Sequence, residues 1–329
     1  MDDKKLPIKV DINTDLISNE TVLKEALKAK KFIEQHLAYG TKRVYKSDWC
    51  IFEDWCNKRN YQATNATPEI IGMFIASQFE DGRHPSTLNR RLAAIKFAYS
   101  CLEKESPTDN AIVRAVLKGI KRDENAPPIQ AKMAAKNTHI KEMVQLCPSN
   151  SLRDMRDRAI LLLLFAGAFR RSELIAINIE DITWNEKGME IKILRSKTDQ
   201  ESKGDVTVIL PAENEIYCPI KAVKNWIDKA QLKDGALFRG ITKNNKILIN
   251  RLNYNVVYFL FKSCAFKLGL PLKEFSPHSS RAGFVTSAYE NGAMLTKIME
   301  QARMKSMQTV HRYIRHAQRY ENHAGEKLL

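Results

Sequence analysis

The chain has 329 residues, and 44% of them are hydrophobic, which is enough to form a core in each of two domains. Its 53 lysines and arginines outnumber 38 acidic residues, and the formal net charge of +15 favours a polyanionic partner such as nucleic acid or an anionic membrane surface. The sequence has no long uncharged apolar run and no signal-peptide core at its start, so we expect neither export nor membrane spanning. A cytoplasmic location is predicted.

The first 121 residues are predicted to be helical. Helices are expected to begin near Thr41, at the start signal Thr67-Pro68-Glu69 and near Ser86, and the stretch NAIVRAVLKGIKRD predicts a further one. In the helix from Ser86, apolar residues form a buried line, and three cations are expected to point away from it, where they could contact phosphates: Arg90, Arg91 and Lys96.

A linker is predicted at residues 122–138, because this segment has paired prolines, high polarity and no sustained periodicity. Beyond it the apolar stretch RDRAILLLLFAGAF predicts a helix that ends in RRSEL, and TWNEKGMEIKILRSKTDQESKGDVTVILP alternates as in a small antiparallel sheet. Helices are expected again from Pro219 to the end. The predicted fold class is therefore mainly α with a small antiparallel β-sheet, in two domains.

The usual signatures of cofactor chemistry are missing from the sequence. It contains no GxxxxGK[ST], GxGxxG, HExxH or GxSxG pattern, and its six cysteines are scattered without a CxxC pair or zinc spacing. We therefore predict reduced thiols, no cofactor, no metal, and chemistry that needs no ATP.

Three stretches carry cations whose role the residues alone leave open. Arg170 and Arg171 follow a strongly apolar helix, and a buried arginine needs an anionic partner, so at least one is expected to project into a site. The alternative is that both side chains reach water and that Glu173 forms a helical ion pair with them. Lys197 lies at the end of a predicted strand and is either solvated or able to reach a phosphate. His278 and Arg281 are three residues apart near a helix start and so share one face of the helix. Either His278 transfers a proton and Arg281 binds a phosphate, or the two are an ordinary surface pair.

Tyr313 lies in the stretch HRYIRH, between two histidines and two arginines. Taken alone, this pattern favours a packing aromatic on a solvated basic helix.

The stretches AGAFRRSELIAI, RSKTDQ, PHSSRAGFVTSA and KSMQTVHRYIR together resemble the active-site motifs of tyrosine recombinases, the lambda-type integrase family. The matching residues, in chain order, are Arg170, Lys197, His278, Arg281 and Tyr313. The resemblance covers nearly the whole chain, and the ending looks most like integrases of prophages and other mobile elements. It implies a C-shaped clamp of a helical core-binding domain, residues 1–121 with an N-terminal extension, and an α+β catalytic domain, residues 139–329 with a C-terminal tail.

The resemblance also implies a reaction. Arg170 and Arg281 would neutralise the scissile phosphate, His278 would act as a base, Lys197 would protonate the leaving 5′ oxygen, and Tyr313 would form a 3′-phosphotyrosyl bond. The implied partners are double-stranded DNA attachment sites, a homotetramer on paired sites, and accessory DNA-bending or directionality proteins. The implied biological role is integration or excision of a mobile element at the bacterial nucleoid.

One residue departs from the family pattern. Nine residues before Tyr313 the family usually has histidine or tryptophan, whereas this chain has Met304, which cannot donate a conventional hydrogen bond to phosphate. The favoured interpretation is retained but reduced activity. The alternatives are an inactive integrase-derived DNA-binding protein, compensation by a neighbour such as Arg303 or His311, and, in mechanism, a nicking and closing enzyme like type IB topoisomerases.

Overall fold

The computed structural model describes Glu25, Lys28 and residues 39–125, 133–193 and 204–314. The chain divides into two compact units, Met1–Ile129 and Gln130–Leu329. This division falls inside the segment 122–138, and the domain limits at 121 and 139 stay predictions. No described helix is both long enough and apolar enough to cross a membrane.

The described part of the first unit is helical. Its helices are α1 (Tyr39–Asn57), α2 (Pro68–Glu80), α3 (Pro85–Cys101) and α4 (Ala111–Arg122). Proline occupies the first position of α2 and α3, where its missing N–H is not needed and its fixed φ suits a helix. Large side chains that are almost fully buried form the core, among them Trp49, Phe52, Phe74, Ile75 and Leu88.

The cations of α3 do not all point away from this core. Arg91 is 4% exposed, and its Nε lies 3.7 Å from Oδ1 of the buried Asp48, so its predicted contact with phosphate is wrong. Arg90 donates to the same carboxylate at 2.7 and 2.9 Å, and Lys96 forms an exposed ion pair with Asp109 at 2.6 Å. A buried carboxylate requires a counter-charge, which explains why Arg91 turns inward.

The second unit combines helices with two small antiparallel sheets, which confirms the predicted fold class. The second sheet lies within residues 239–251, so the expectation of helices alone after Pro219 is wrong there. Its helices are α5 (Asn137–Gln145), α6 (Leu152–Ala166), α7 (Arg171–Ala176), α8 (Pro219–Lys229), α9 (Tyr254–Lys267), α10 (Pro277–Glu290), α11 (Leu295–Ala302) and α12 (Met307–Ile314). Strands β1 (Ile182–Asn185), β2 (Gly188–Ile193) and β3 (Asp205–Ile209) form one sheet in that order, and β4 (Arg239–Ile241) pairs with β5 (Ile247–Arg251). The alternating strand pattern turns one face of β2 and β3 inward through Ile191, Ile193 and Ile209.

Helix α6 ends earlier than its apolar sequence predicts. The expected helix over residues 156–169 stops at Ala166, since Gly167 caps it and Ala168 adopts a left-handed backbone with φ 45°. Phe169 then turns into the core, where it is 1% exposed, and α7 starts at Arg171. Because of this turn, the carbonyls of Gly167 and Ala168 take no part in the hydrogen bonds of the helix, and both accept hydrogen bonds from arginines.

A small separate core holds the last helices together. Ala168, Val285, Ile298, Ala302, Val310 and Ile314 are buried in it, and Met304 and Tyr313 pack against its edge. It therefore ties α12, which carries Tyr313, to α10 and to the turn after α6.

Candidate active site

Helix α10 places His278 and Arg281 one turn apart on its first turns, as predicted. The helix begins at Pro277, and the Ser276 backbone N–H donates to Oγ of Ser279 at 3.1 Å. The two side chains differ in environment, because His278 is exposed whereas Arg281 is 1% exposed. On their shared helix face, the exposed His278 is therefore suited to proton transfer, and Arg281 provides a buried cation.

Backbone carbonyls hold Arg281 in place. Its Nη1 donates to the carbonyl of Ala168 at 2.7 Å, and its Nη2 donates to the carbonyls of Ala302 and Arg303. Burial lowers the pKa of Arg281 to about 10, with repulsion from Arg170 adding to the effect and Glu173 opposing it. The guanidinium is still charged at neutral pH, so it contributes a fixed positive charge to the site.

Of the two adjacent arginines, Arg170 is held at the site. It precedes α7, its backbone N–H donates to Oε2 of Glu173 at 2.9 Å, and its Nη1 donates to Oε1 of the same carboxylate. Burial would raise the pKa of Glu173, but Arg303 and Arg170 hold it below its usual value, so the carboxylate is ionised. Arg171 instead lies 5.5 Å from the ring centroids of Tyr254 and Tyr258.

Tyr313 meets His278 across 35 residues of sequence. The Tyr313 hydroxyl lies 2.8 Å from Nε2 of His278, within hydrogen-bond distance. Oγ1 of Thr286 on α10 donates to the Tyr313 carbonyl at 3.1 Å, and the buried Val310 and Ile314 fix the helix on either side. The tyrosine is therefore both an aromatic that packs and a hydroxyl beside a base.

The charge around Tyr313 does not by itself ionise the phenol. Burial raises the pKa of Tyr313 above its usual value, and Arg281, Arg170 and Arg312 only partly offset this. The hydroxyl is protonated at neutral pH and needs a base to become a nucleophile. His278 can accept that proton through Nε2 when its own proton is on Nδ1.

Two sequence predictions have different outcomes. Met304 is partly buried against the small core of the last helices, on which Tyr313 also packs, and its thioether has no hydrogen to donate. Lys197 lies outside the described residues, between the end of β2 at Ile193 and the start of β3 at Asp205. Of the five predicted site residues, the structure brings together Arg170, His278, Arg281 and Tyr313.

Sequence reasoning missed the packing around these residues. The sequence suggests Arg303 only as a substitute for a phosphate ligand, yet its side chain is 3% exposed and contacts Glu173 and Thr207. Thr207 carries no local signal, since a threonine in an alternating strand is ordinary. The one signal that could have indicated Arg303 is the charge of Glu173, because this carboxylate, if buried, needs nearby cations as partners.

Comparisons with known proteins agree with the motif pattern. The model of the phage integrase family matches residues 135–319. An integrase/recombinase XerD homolog of Selenomonas ruminantium is 32% identical over 327 residues, which cover 98% of this chain and 95% of that protein.

Solved structures share the fold at low identity. The XerH site-specific recombinase bound to its palindromic difH substrate has a TM-score of 0.64 at 15% identity, with 96% of this chain and 91% of that chain covered. A lambda integrase dimer bound to a COC′ core site has a TM-score of 0.58 at 13% identity, with 87% of this chain and 75% of that chain covered.

Proposed function

The chain belongs to the phage integrase family and is a tyrosine recombinase, a DNA strand-transferring enzyme, and we propose that Tyr313 is its nucleophile. The observation that carries the proposal is the distance of 2.8 Å between the Tyr313 hydroxyl and Nε2 of His278. Two arginines beside this pair, Arg170 and Arg281, support it, because a phosphodiester is attacked readily only when its negative charge is neutralised.

In the proposed reaction, Oη of Tyr313 attacks the scissile phosphorus while His278 accepts the phenolic proton. A bond forms between the tyrosine oxygen and phosphorus, and the bond from phosphorus to the 5′ oxygen breaks. Lys197 protonates the leaving 5′ oxygen, and Arg170 and Arg281 stabilise the negative charge on the non-bridging oxygens. The 3′-phosphotyrosyl linkage retains the energy of the phosphodiester, so a 5′ hydroxyl of another strand can reverse the step without ATP.

The proposed substrate is a pair of double-stranded DNA attachment sites, bound by a homotetramer of C-shaped clamps at the nucleoid. The net charge of +15 supports binding to DNA, since each phosphate contact releases counterions. We further propose that the reaction integrates or excises a mobile element, with accessory DNA-bending or directionality proteins as partners.

Covalent trapping on nicked DNA tests this proposal. The purified protein is incubated with a nicked duplex that contains the attachment site of its element, and the products are denatured and separated. We expect a slower DNA–protein band, and mass spectrometry of its peptides should place the nucleotide on Tyr313. Adducts on another residue would contradict the assignment of the nucleophile.

Met304 is proposed to limit the rate of cleavage. We expect Met304→His to cleave the nicked duplex about 10-fold faster or more in a single turnover, because an imidazole N–H adds a donor for a non-bridging oxygen. Met307→His is the matched control, since it adds the same side chain at a residue that is 41% exposed. Equal rates for Met304→His and the parent protein would show that Met304 is not limiting.

The same substitution separates the alternative functions. A parent protein that binds DNA without an adduct, but forms one after Met304→His, would be an impaired recombinase. If neither protein forms an adduct, an integrase-derived DNA-binding role is favoured instead. Relaxation of supercoiled DNA without a paired site would favour a nicking and closing enzyme.

A further inference from the structure

Arg303 occupies an unusual position at the end of α11. Its backbone is left-handed, with φ 51° and ψ 51°, a conformation that residues with a Cβ rarely adopt. The residue is also only 7% exposed, so a charged side chain is buried where glycine would suit the backbone better. Both features oppose folding unless the side chain makes compensating contacts.

The guanidinium of Arg303 makes such contacts with three parts of the unit. Its Nη1 donates to Oγ1 of Thr207 on β3 at 2.6 Å and to the Gln301 carbonyl at 2.9 Å. Its Nη2 is 3.1 Å from both the Gly167 carbonyl and Oε2 of Glu173, and 3.2 Å from the Ala168 carbonyl. Its Cζ also lies 4.9 Å from the centroid of the Phe169 ring.

Two of these acceptors also hold the arginines proposed to contact the phosphate. Glu173 accepts from Arg303 at 3.1 Å and pairs with Arg170 through its other oxygen. The Ala168 carbonyl accepts from Arg303 at 3.2 Å and from Arg281 at 2.7 Å. Arg303 therefore contacts the anchoring atoms of both Arg170 and Arg281.

Another acceptor of Arg303, Thr207, lies on β3, the strand that follows the segment with Lys197. Thr207 is 2% exposed and is paired in the sheet with Ile191 of β2. Its hydrogen bond to Arg303 joins β3 to the turn after α6 and to the end of α11. One guanidinium thus connects three chain segments that approach the same site.

We propose that Arg303 is a positioning residue for DNA cleavage, whose guanidinium fixes Glu173 and the Ala168 carbonyl and so aligns Arg170 and Arg281 with the scissile phosphate. This inference rests on the proposed function of the site. Arg303 acts through its neighbours and does not itself touch the phosphate. Its role differs from that of a substitute donor for Met304.

Arg303→Gly gives the main test, because it removes the guanidinium and leaves a residue suited to the left-handed backbone. Arg303→Lys keeps the charge but loses the planar fork that reaches several acceptors at once. Lys305→Gly is the matched control, since it removes an exposed cation two residues further along the chain. For each protein we would measure the thermal midpoint, the Kd for the site and the single-turnover rate of adduct formation.

We expect Arg303→Gly to lower the rate of adduct formation about 100-fold, with Arg303→Lys also impaired and Lys305→Gly close to the parent. The Kd should change by less than about 3-fold, because the buried Arg303 makes no contact with DNA. If Arg303→Gly fails to fold, the same comparison is made with Arg303→Lys.

A second substrate separates positioning from a merely structural effect. A methylphosphonate at the scissile position replaces a charged oxygen with a methyl group, so aligned arginines contribute less to its cleavage. We expect the defect of the Arg303 variants to be at least about 10-fold smaller on this linkage than on the phosphodiester. An equal defect on both linkages, or full activity of Arg303→Gly on the phosphodiester, would overturn the proposal for Arg303 alone. The proposed function itself would be overturned if neither the parent protein nor Met304→His formed an adduct.

Discussion

Tyr313→Phe is expected to abolish covalent attachment of the protein to DNA, with a loss of at least about 10⁴-fold in adduct formation. The change removes only the oxygen that lies 2.8 Å from Nε2 of His278, which is the proposed attacking atom. The ring that packs against the small core of the last helices is retained, so folding should be preserved. Site binding, measured by gel shift on the same nicked duplex, should also be retained, because most of the affinity comes from phosphate contacts elsewhere.

Tyr99→Phe is a matched control with the opposite expected profile. The Tyr99 hydroxyl accepts from the Ala66 backbone N–H at 2.8 Å and lies 2.9 Å from the Ala63 carbonyl, all within the first unit. Its removal leaves a buried amide without a partner, at a cost of about 1–3 kcal/mol in unfolding free energy. For Tyr99→Phe, adduct formation well below the thermal midpoint should be unaffected.

For Tyr313→Phe, by contrast, substantial adduct formation would show that another residue is the nucleophile.

Gly283→Ala is expected to destabilise the second unit by about 3 kcal/mol, the upper part of the usual range for overpacking. A Cβ at residue 283 would lie 1.8 Å from the Ala135 carbonyl oxygen and 2.3 Å from its carbonyl carbon, so the backbone itself must move. Helix α10 is held against this segment by a hydrogen bond of 2.8 Å from the Ala135 N–H to the Ser279 carbonyl. Because α10 carries His278 and Arg281, its displacement should also slow cleavage at temperatures where the protein is folded.

Thermal and urea unfolding, together with single-turnover cleavage, measure both effects of Gly283→Ala. Gly119→Ala is the control, because Gly119 lies inside α4 and a Cβ there would meet nothing within 4 Å. An alanine in a helix interior should stabilise the first unit by about 0.5–1 kcal/mol. An unchanged unfolding midpoint and cleavage rate for Gly283→Ala would contradict the close packing of α10 on Ala135.

The sequence by itself determined the features that depend on near neighbours along the chain. Periodic apolar residues and start signals such as Thr67-Pro68-Glu69 predicted helices that the structure confirms, including α2 and α10. Alternation predicted the antiparallel sheet of β1, β2 and β3, and the spacing of His278 and Arg281 predicted one helical face. The motif pattern also indicated the family, since motif residues retain their types and spacing even where overall identity is low.

Only the tertiary structure decided which polar atoms are buried and which atoms they contact. The sequence did not predict that α6 ends at Ala166 or that Arg91 turns inward to Asp48. It also did not reveal that Arg303 shares the acceptors of Arg170 and Arg281. These outcomes depend on desolvation and on partners up to 136 residues apart, as between Arg303 and Gly167. A local pattern determines which side of a helix is apolar, whereas the partner of a buried charge depends on which distant segments pack against it in the folded chain.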